Sequence, residues 1–222
     1  MIKKIYFDEI DSTNDYAISR DEPSDFAVIA KRQTGGKGTK GRSFSSEPGG
    51  AYLTLVRYYP LTAENSFKIM ASSCLAVAKT LGVYGINASV KWANDVLAGG
   101  KKICGILIKN SFEGEYVKKS VIGIGVNLNN EIPKELSDVA VTAKELINRE
   151  IDTDEFIDRL IENLYKDYSM DEYRSKNIVL GKEIKVIEGE KTYYAKAAGI
   201  ADNGNLILSD GRILSYGEVS IH

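Results

Sequence analysis

Histidine is nearly absent from this sequence: there is one in 222 residues, and it is the last residue, His222. A Ser-His-Asp triad or a Cys-His pair would therefore have to use the chain terminus, where order is usually low. Cysteine is also scarce, since the sequence has only Cys74 and Cys104. Two thiols cannot form a four-ligand zinc site, and both lie in apolar segments, which is more typical of buried thiols than of catalytic ones. The sequence thus predicts chemistry that needs no histidine, zinc or disulfide.

Long hydrophobic runs and an excess of one charge are missing as well. No run approaches the roughly 18 apolar residues that a membrane-spanning helix needs. The first residues, MIKKIYFDE, contain no apolar core of a signal peptide. We therefore expect a cytoplasmic protein with no membrane partner. With 29 basic and 31 acidic residues the net charge is −2, which gives no general attraction to nucleic acid or to anionic membranes.

What the sequence does contain is a succession of strand-like and helix-like segments. Hydrophobic residues make up 43% and charged residues 27%, as in a globular protein with a sizeable core. Hairpin-like strands mix with helices without regular β-α-β alternation, so α+β is predicted rather than a doubly wound parallel sheet. Near residue 175 short strands with tight-turn signals take over. We therefore expect a main domain over 1–176 and a small β-barrel or sandwich over 177–222.

Hydrophobic periodicity gives the expected elements. Alternation and apolar runs predict strands over residues 2–7, 25–32, 51–59, 88–95, 102–112 and 116–128. Helical spacing and capping signals predict helices that begin at or just after Asp11–Asn14, Thr62, Thr142 and Thr153. Thr142 and Glu145 have the spacing of a capping box.

A glycine-rich basic loop, QTGGKGTKGR at 33–42, is the first segment with a chemical signal. Residues 27–46 hold five positive charges and no acidic residue, with four glycines between them. Glycine lets backbone N–H groups approach a ligand, and successive N–H groups beside cations form a nest for phosphate. The spacing fits neither a Walker A loop nor a Rossmann fingerprint. Composition alone leaves a phosphate-binding loop and a flexible solvated loop equally open.

Three further motifs are ambiguous when each is taken singly. KWAND at 91–95 places a lysine, the single tryptophan, an amide and a carboxylate at a strand end. A lysine in a half-buried strand favours an anionic partner, either a ligand or an ordinary salt bridge at a sheet edge. VIGIGVN at 121–127 has two glycines on one strand face, which indicates a close approach by a ligand or backbone, or else a bulge. DSTN at 11–14 is most simply a helix cap.

Taken together and in this order, the motifs are far more specific. DSTN, QTGGKGTKGRSF, KWAND, KKICGILI and GIGVN resemble the catalytic core of the biotin protein ligases, over nearly the whole chain. The resemblance implies a class II synthetase-like core, with a mixed sheet and flanking helices, followed by a small SH3-like β-barrel. The family's loop usually reads GRGRxGRxW and its lysine motif KWPND. Here Lys37 and Thr39 replace arginines, Phe44 replaces tryptophan and Ala93 replaces proline. Lys37 keeps the positive charge, whereas Thr39 does not.

The resemblance implies a two-step reaction. Biotin and ATP give biotinyl-5′-AMP and pyrophosphate, and the biotinyl group then passes to one lysine of a biotin carboxyl carrier protein domain. It also implies Mg²⁺ with the ATP and a side-by-side homodimer. DNA binding is not expected, because the chain starts at the catalytic core without a helix-turn-helix. A biotin carboxylate is already ionised at neutral pH, so attack on the α-phosphate needs positioning and charge cancellation rather than a general base.

The same resemblance assigns the site residues. The catalytic residues are Lys91, which bridges the biotin carboxylate and the α-phosphate, together with Lys37 and Arg42. The biotin contacts are Ser12, Thr13, Asn14, Gln33, Gly36, Lys37, Gly38, Thr39, Lys91, Gly105, Gly123 and Gly125. The nucleotide contacts are Lys37, Gly38, Arg42, Phe44, Trp92, Asn94, Lys102 and Asn127. Metal ligands stay unassigned, and Asp95 either assists the metal or Lys91 or is structural.

Three alternatives stay open. A lipoate–protein ligase or related acyl transferase resembles the same catalytic fold, although GGKGTKGR and KWAND favour biotin. A nucleic-acid-binding protein could use the basic loop and the C-terminal barrel, but a sequence pI of about 5.6 argues against it. The third alternative is an inactive homologue, since Thr39 removes a charge from the loop.

Overall fold

The computed structural model of the protein describes residues 2–58, 61–215 and 218–221. Residue 59, at the end of the predicted strand 51–59, and His222 lie outside these ranges. The described strands form two sheets, one from the first part of the chain and one from its last part.

The larger sheet has eight strands and is mixed. Its strands are β1 (Lys3–Ile10), β2 (Phe26–Gln33), β3 (Ala51–Arg57), β4 (Leu61–Thr62), β5 (Ala88–Lys91), β6 (Asp95–Ala98), β7 (Lys101–Glu113) and β8 (Tyr116–Val126). Their order is β1-β2-β3-β8-β7-β6-β5, and β4 pairs with β8. β1 and β2 run parallel, while the other described neighbours run antiparallel. This arrangement confirms the α+β prediction.

The helices lie between and after these strands. They are α1 (Thr13–Ile18), α2 (Phe67–Val83), α3 (Ala143–Ile147), α4 (Thr153–Leu164) and α5 (Met170–Lys176). α2 packs against β5 on one side and α4 on another, and buried side chains of both helices share one core with the sheet. The predicted capping box of α3 is present, with Thr142 and Glu145 bonded in both directions. The amphipathic patterns therefore located the core helices correctly.

The stretch Ala63–Val83, which contains α2, is long and apolar enough to cross a membrane by length and composition. No long run of consecutive apolar residues marks this stretch, because small and polar residues interrupt it while its mean hydropathy stays apolar. More than half of it is buried inside the protein, and its Cys74, Leu75 and Leu81 belong to the main core. It therefore packs as the core helix of the larger sheet.

The smaller sheet is antiparallel and lies at the C-terminal end of the chain. Its strands are β9 (Glu183–Glu188), β10 (Lys191–Ile200), β11 (Leu206–Leu208), β12 (Ile213–Leu214) and β13 (Glu218–Ile221), in the order β12-β11-β10-β9-β13. A small all-β unit at this end was predicted, and it is present. Because Ile184, Val186 and Leu206 join the same core cluster as the larger sheet, the division of the chain at residue 176 stays a prediction.

Two local expectations were wrong, and one helix was missed. Thr62 does not cap α2, because it lies in β4, and a short 3-10 turn at 63–65 separates it from the helix. The strand predicted over 88–95 ends at Lys91. A turn follows, and Asp95 then opens β6 directly opposite Lys91. Helix α5 was not predicted, because its seven residues show little periodicity and the capping box formed by Ser169 and Glu172 was overlooked.

The start of α4 gives a test of local stability. Asp152 is its N-cap, because the Asp152 carboxylate accepts a hydrogen bond from the Glu155 N–H at 2.9 Å. Asp152→Ala is expected to lower the free energy of unfolding by about 1 kcal/mol in urea denaturation. Asp154→Ala removes the same charge from the same turn without removing a cap, and should cost only about 0.3 kcal/mol. Equal decreases in the free energy of unfolding for Asp152→Ala and Asp154→Ala would contradict the capping role of Asp152.

Candidate active site

A small polar cavity lies where α1, β2, β7 and β8 meet. Its volume is about 50 Å³, room for a few water molecules. The DSTN motif contributes Ser12, Thr13 and Asn14 to its wall, and the glycine strand contributes Gly123 and Gly125. Motifs that are more than a hundred residues apart in sequence therefore line one space.

A hydrogen-bond network fixes one wall of this cavity. The side-chain carbonyl of Gln33 accepts from the Thr13 backbone N–H at 2.9 Å and from its hydroxyl at 3.0 Å. The Gln33 amide nitrogen donates to the Ser46 hydroxyl at 2.9 Å. The fully buried Thr54 hydroxyl donates to Thr13 Oγ1 at 2.9 Å. These groups satisfy one another, so the wall is rigid before any ligand binds.

Asn14 is different, because its buried amide has no partner among the described residues. The side chain is 5% exposed, yet neither Oδ1 nor Nδ2 makes a hydrogen bond to a described atom. It lies against Gly123, where a Cβ atom would come within 2.6 Å of Asn14 Nδ2. An unpaired buried amide is costly, and natural structures rarely keep one without a reason. The Asn14 side chain thus presents one hydrogen-bond donor and one acceptor to a ligand at a glycine-lined surface.

A larger cavity of about 590 Å³ adjoins the first one. Lys102, Phe44, Gly38 and Thr39 line both. Three cationic residues from different segments line the larger cavity: Arg42, Lys91 and Lys102. Asn127 lines it as well, together with Ser220 and Ile221 of the smaller sheet. Asp95 and Asp138 also line the larger cavity, so its wall has three cationic and two acidic side chains, an excess of one positive charge, and it is continuous with the smaller cavity.

Lys91 and Lys102 have different electrostatic partners. The Lys102 ammonium forms an ion pair with the Asp95 carboxylate at 2.6 Å. Lys91 lies opposite Asp95 in the β5–β6 pairing and is half-buried, and its ammonium has no hydrogen bond or ion pair to a described residue. A half-buried ammonium without a partner favours an anion in the cavity beside it. The Asp95 carboxylate is therefore paired with Lys102 and not with Lys91 in this structure.

The glycine-rich loop folds back as a tight hairpin over the smaller cavity. Isolated bridges join Gln33 to Ser46 and Lys37 to Ser43, and the Phe44 N–H donates to the Gly36 carbonyl at 2.8 Å. The Lys37 ammonium lies 2.5 Å from the Asp15 carboxylate of α1, and this hydrogen bond raises the pKa of Lys37. The loop is therefore fastened to α1 by an ion pair.

The Phe44 ring lies between the two cavities. A Cβ atom at Gly125 would come within 2.5 Å of the ring, and one at Gly105 within 3.1 Å. The ring also packs edge-to-face on Tyr52, with 6.5 Å between centroids. Because these two strand positions have no side chain, the ring can lie against the sheet, and it limits the volume of the smaller cavity.

Most of the predicted site residues meet at these two cavities. The smaller cavity is lined by Ser12, Thr13, Asn14, Gln33, Lys37, Gly38, Thr39, Phe44, Asn94, Lys102, Gly105, Gly123 and Gly125. The larger adds Arg42, Lys91 and Asn127. Gly36 lines neither, because it lies within the hairpin against Phe44 and Ser46. Lys91, predicted to contact both ligands, lines only the larger cavity.

Trp92 does not lie where a nucleotide contact was expected. Its ring is 5% exposed, lines neither cavity, and donates from Nε1 to the carbonyl of Gly204, in the loop between β10 and β11, at 2.8 Å. The strand turns at Trp92, so the ring points into the core between the two sheets. Its position is that of a structural residue.

Sequence reasoning missed the segment between β8 and α3. Ile132, Pro133, Leu136 and Val139 line the larger cavity, but the segment has no periodic pattern and no motif that marked it. Thr54, Ile106, Leu107 and Ile124 of the smaller cavity were also missed. All four lie in strands that were predicted, and Thr54 and Leu107 are both paired with Gly123, so strand register was the available signal for these two.

The two thiols take no part in either cavity. Cys74 and Cys104 are fully buried, and burial raises the pKa of both. This confirms their interpretation as buried hydrophobic groups.

Comparison with known proteins defines the class. Residues 6–127 match the biotin/lipoate A/B protein ligase family, and residues 179–221 match the biotin protein ligase C-terminal domain. The chain belongs to the biotin/lipoate A/B protein ligase family.

Individual relatives lie on the biotin side of that family. The bifunctional ligase/repressor BirA of Bacillus subtilis is 30% identical over 222 residues, which covers 92% of this chain and 68% of the relative. The biotin–[acetyl-CoA-carboxylase] ligase of Paracoccus denitrificans is 28% identical over 198 residues, or 82% of each chain. The Aquifex aeolicus biotin protein ligase, solved in complex with biotin and ATP, aligns with a TM-score of 0.80 and 28% identity over 100% of this chain and 99% of that one.

Proposed function

We propose that this protein is a biotin–protein ligase, which activates biotin with ATP and transfers it to a lysine of a carrier protein. The observation that carries the proposal is the unpartnered buried amide of Asn14 in a polar cavity that opens into a larger cationic one. A ureido ring has N–H donors and a carbonyl acceptor, and would satisfy such an amide. The named relatives and the biotin-type C-terminal domain support the same conclusion.

The two cavities divide the substrates between them. The biotin ring system would enter the smaller cavity beside Ser12, Thr13, Asn14 and Gln33. Since about 50 Å³ is less than a bicyclic ligand needs, the Phe44 ring has to move away from Gly105 and Gly125 as biotin enters. The adenylate would occupy the larger cavity, whose 590 Å³ lies in the usual range of ligand sites.

The first step joins two anions. A carboxylate oxygen of biotin attacks the α-phosphorus of ATP, and the bond to pyrophosphate breaks with its electron pair leaving on pyrophosphate. The ammonium of Lys91, which has no partner among the described residues, lines the larger cavity and offsets the repulsion that grows as the two anions approach. Arg42 and Lys102 add positive charge for the phosphates. No proton has to be removed, which is consistent with a site without histidine.

The second step moves the biotinyl group to an amine. The ε-amine of the carrier lysine attacks the acyl carbon, the bond to AMP breaks, and the nitrogen loses a proton. A biotin carboxyl carrier protein domain is the proposed acceptor, in line with the name of the Paracoccus relative. A homodimer, which the family resemblance implies, and a cytoplasmic location, which the sequence analysis expects, stay predictions.

Mg²⁺ fits as a companion of ATP. Among the described residues no group of three or more His, Cys, Asp or Glu could hold a metal by itself. Asp95 and Asp138 line the larger cavity, and Mg²⁺ commonly uses one or two carboxylates together with substrate phosphates. Because Asp95 is paired with Lys102, Asp138 would hold the ion together with the phosphates of ATP, and the ion would supply further neutralisation of phosphate charge.

The lipoate alternative makes a different demand on the smaller cavity. A dithiolane ring has no amide-like donor or acceptor, so it would leave the Asn14 amide unpaired. We therefore expect ATP–pyrophosphate exchange with biotin, and exchange at least about 100-fold weaker with lipoate. Mass measurement of a carrier domain incubated with biotin, ATP and Mg²⁺ checks the transfer step. Exchange driven by lipoate, or by neither acid, would refute the proposed function.

Lys91 provides the sharpest test of the mechanism. Lys91→Ala should reduce the kcat of biotin-dependent exchange by about 100-fold or more, because it removes charge stabilisation from the transition state. Lys109→Ala removes an exposed lysine of β7 that lines neither cavity, and should retain normal exchange. Circular dichroism establishes that both variants are folded. Near-normal exchange in Lys91→Ala would remove this residue from its role.

Gly123 tests where biotin binds. In Gly123→Ala the new methyl group would lie 2.6 Å from Asn14 Nδ2, so the amide must shift, and we expect the KM for biotin to rise about tenfold or more. The KM for ATP should change little, since Gly123 does not line the larger cavity. Gly199→Ala is the matched control. It also places a methyl group in a strand, but its nearest contact would be Ile207 at 3.9 Å. A biotin KM that Gly123→Ala leaves unchanged would contradict the assignment.

A further inference from the structure

The turn Trp92–Asn94 separates Lys91 from Asp95 and is held by contacts from outside its own hairpin. The Asn94 side-chain amide donates to the Ile106 carbonyl at 2.9 Å, and the Ile106 N–H donates back to the Asn94 carbonyl at 3.3 Å. The Trp92 indole N–H donates to the carbonyl of Gly204 in the loop between β10 and β11. Since Lys91 is the last residue of β5, the position of this turn determines where its ammonium points.

The middle residue of the turn is held by Tyr173 of α5. The Tyr173 hydroxyl donates to the Ala93 carbonyl at 2.8 Å, and the Cys74 thiol approaches the same oxygen at 3.9 Å. Tyr173 is fully buried, and burial raises the pKa of its hydroxyl well above the usual value. The hydroxyl therefore remains a protonated donor at any pH at which the enzyme works.

Aromatic packing fixes the Tyr173 ring in turn. It lies edge-to-face on Phe67, with 5.5 Å between centroids and an interplanar angle of 82°. Phe67 is also in contact with Gly204, at a position where a Cβ atom would overlap its ring. Phe67 thus lies between Tyr173 and the loop that accepts the Trp92 hydrogen bond. The two anchors of the turn are packed against each other.

We propose that Tyr173 is a positioning residue for Lys91, which it holds in place through its hydrogen bond to the Ala93 carbonyl. The inference rests on the proposed function, because it assigns Lys91 the role of bridging the two reacting anions. Tyr173 lines neither cavity and touches no substrate. It acts on the rate of the chemical step by keeping the ammonium where the transition state needs it.

The test compares two tyrosine-to-phenylalanine variants of the full chain. Tyr173→Phe removes the hydrogen bond to Ala93 and keeps the ring on Phe67. Tyr58→Phe is the matched control, because the Tyr58 hydroxyl donates to the Glu22 carbonyl at 2.6 Å and lines neither cavity. Trp92 is the single tryptophan of the sequence, so its emission and its quenching by acrylamide report on the turn itself. The variants are compared at a temperature at which far-UV circular dichroism shows both to be folded.

We expect Tyr173→Phe to lower the kcat of biotin-dependent exchange between about 5-fold and 50-fold, with KM values for biotin and ATP within about twofold of normal. Acrylamide quenching of Trp92 should increase in the same variant. Tyr58→Phe should leave both readouts unchanged.

Other outcomes overturn the inference. A normal kcat in Tyr173→Phe would contradict the positioning role, whether or not the quenching of Trp92 changes. Equal losses of activity in Tyr173→Phe and Tyr58→Phe, with unchanged quenching of Trp92, would contradict it as well. If the unmodified protein shows no biotin-dependent exchange, the proposed function fails instead. Quenching of Trp92 would then still show whether Tyr173 holds the turn.

Discussion

An ammonium group kept without a counter-ion is the constraint on which the site depends. Three lysines with described side chains line the two cavities, and two of them are neutralised: Lys37 by Asp15 and Lys102 by Asp95. Lys91 has no such partner in the described part of the chain, although Asp95 stands opposite it on the neighbouring strand. A carboxylate that formed an ion pair with Lys91 would compete with an anionic substrate for the ammonium. By pairing Asp95 with Lys102, the fold leaves Lys91 available.

The glycines of the strands serve this site through the space they leave. Gly123 allows the Asn14 amide to lie against β8, while Gly105 and Gly125 allow the Phe44 ring to lie across β7 and β8. Glycine weakens a strand, so three of them at one place in the sheet have a cost in stability. The neighbouring strand residues Ile106, Ile122 and Ile124 are buried in the main core and offset that cost. One face of β7 and β8 thus leaves space for a ligand, while the opposite face packs into the core and stabilises the sheet.

Local sequence patterns were sufficient for most of the fold. The strand alternation, the helical stripes of α2 and α4, and the Thr142–Glu145 capping box depend on residues close in sequence, and the structure contains them. The motifs also identified most of the cavity walls. What failed depends on distant contacts: Trp92 is directed away from the site by a partner 112 residues further along the chain. The turn that ends β5 at Lys91 likewise depends on Tyr173, which is 80 residues away.

The same distant contacts make the smaller sheet part of the site rather than an appendage. Ser220 and Ile221 of β13 line the larger cavity, and the Gly204 carbonyl accepts the hydrogen bond of Trp92. Arg174 of α5 donates to the Ile200 carbonyl at 2.7 Å and forms an ion pair with Asp202, which joins α5 to the loop after β10. Without the smaller sheet the buried indole N–H would lose its acceptor, and Phe67 would lose its contact with Gly204. Because α5 also carries Tyr173, the geometry of the KWAND turn depends on the C-terminal sheet as well as on the hairpin in which the motif lies.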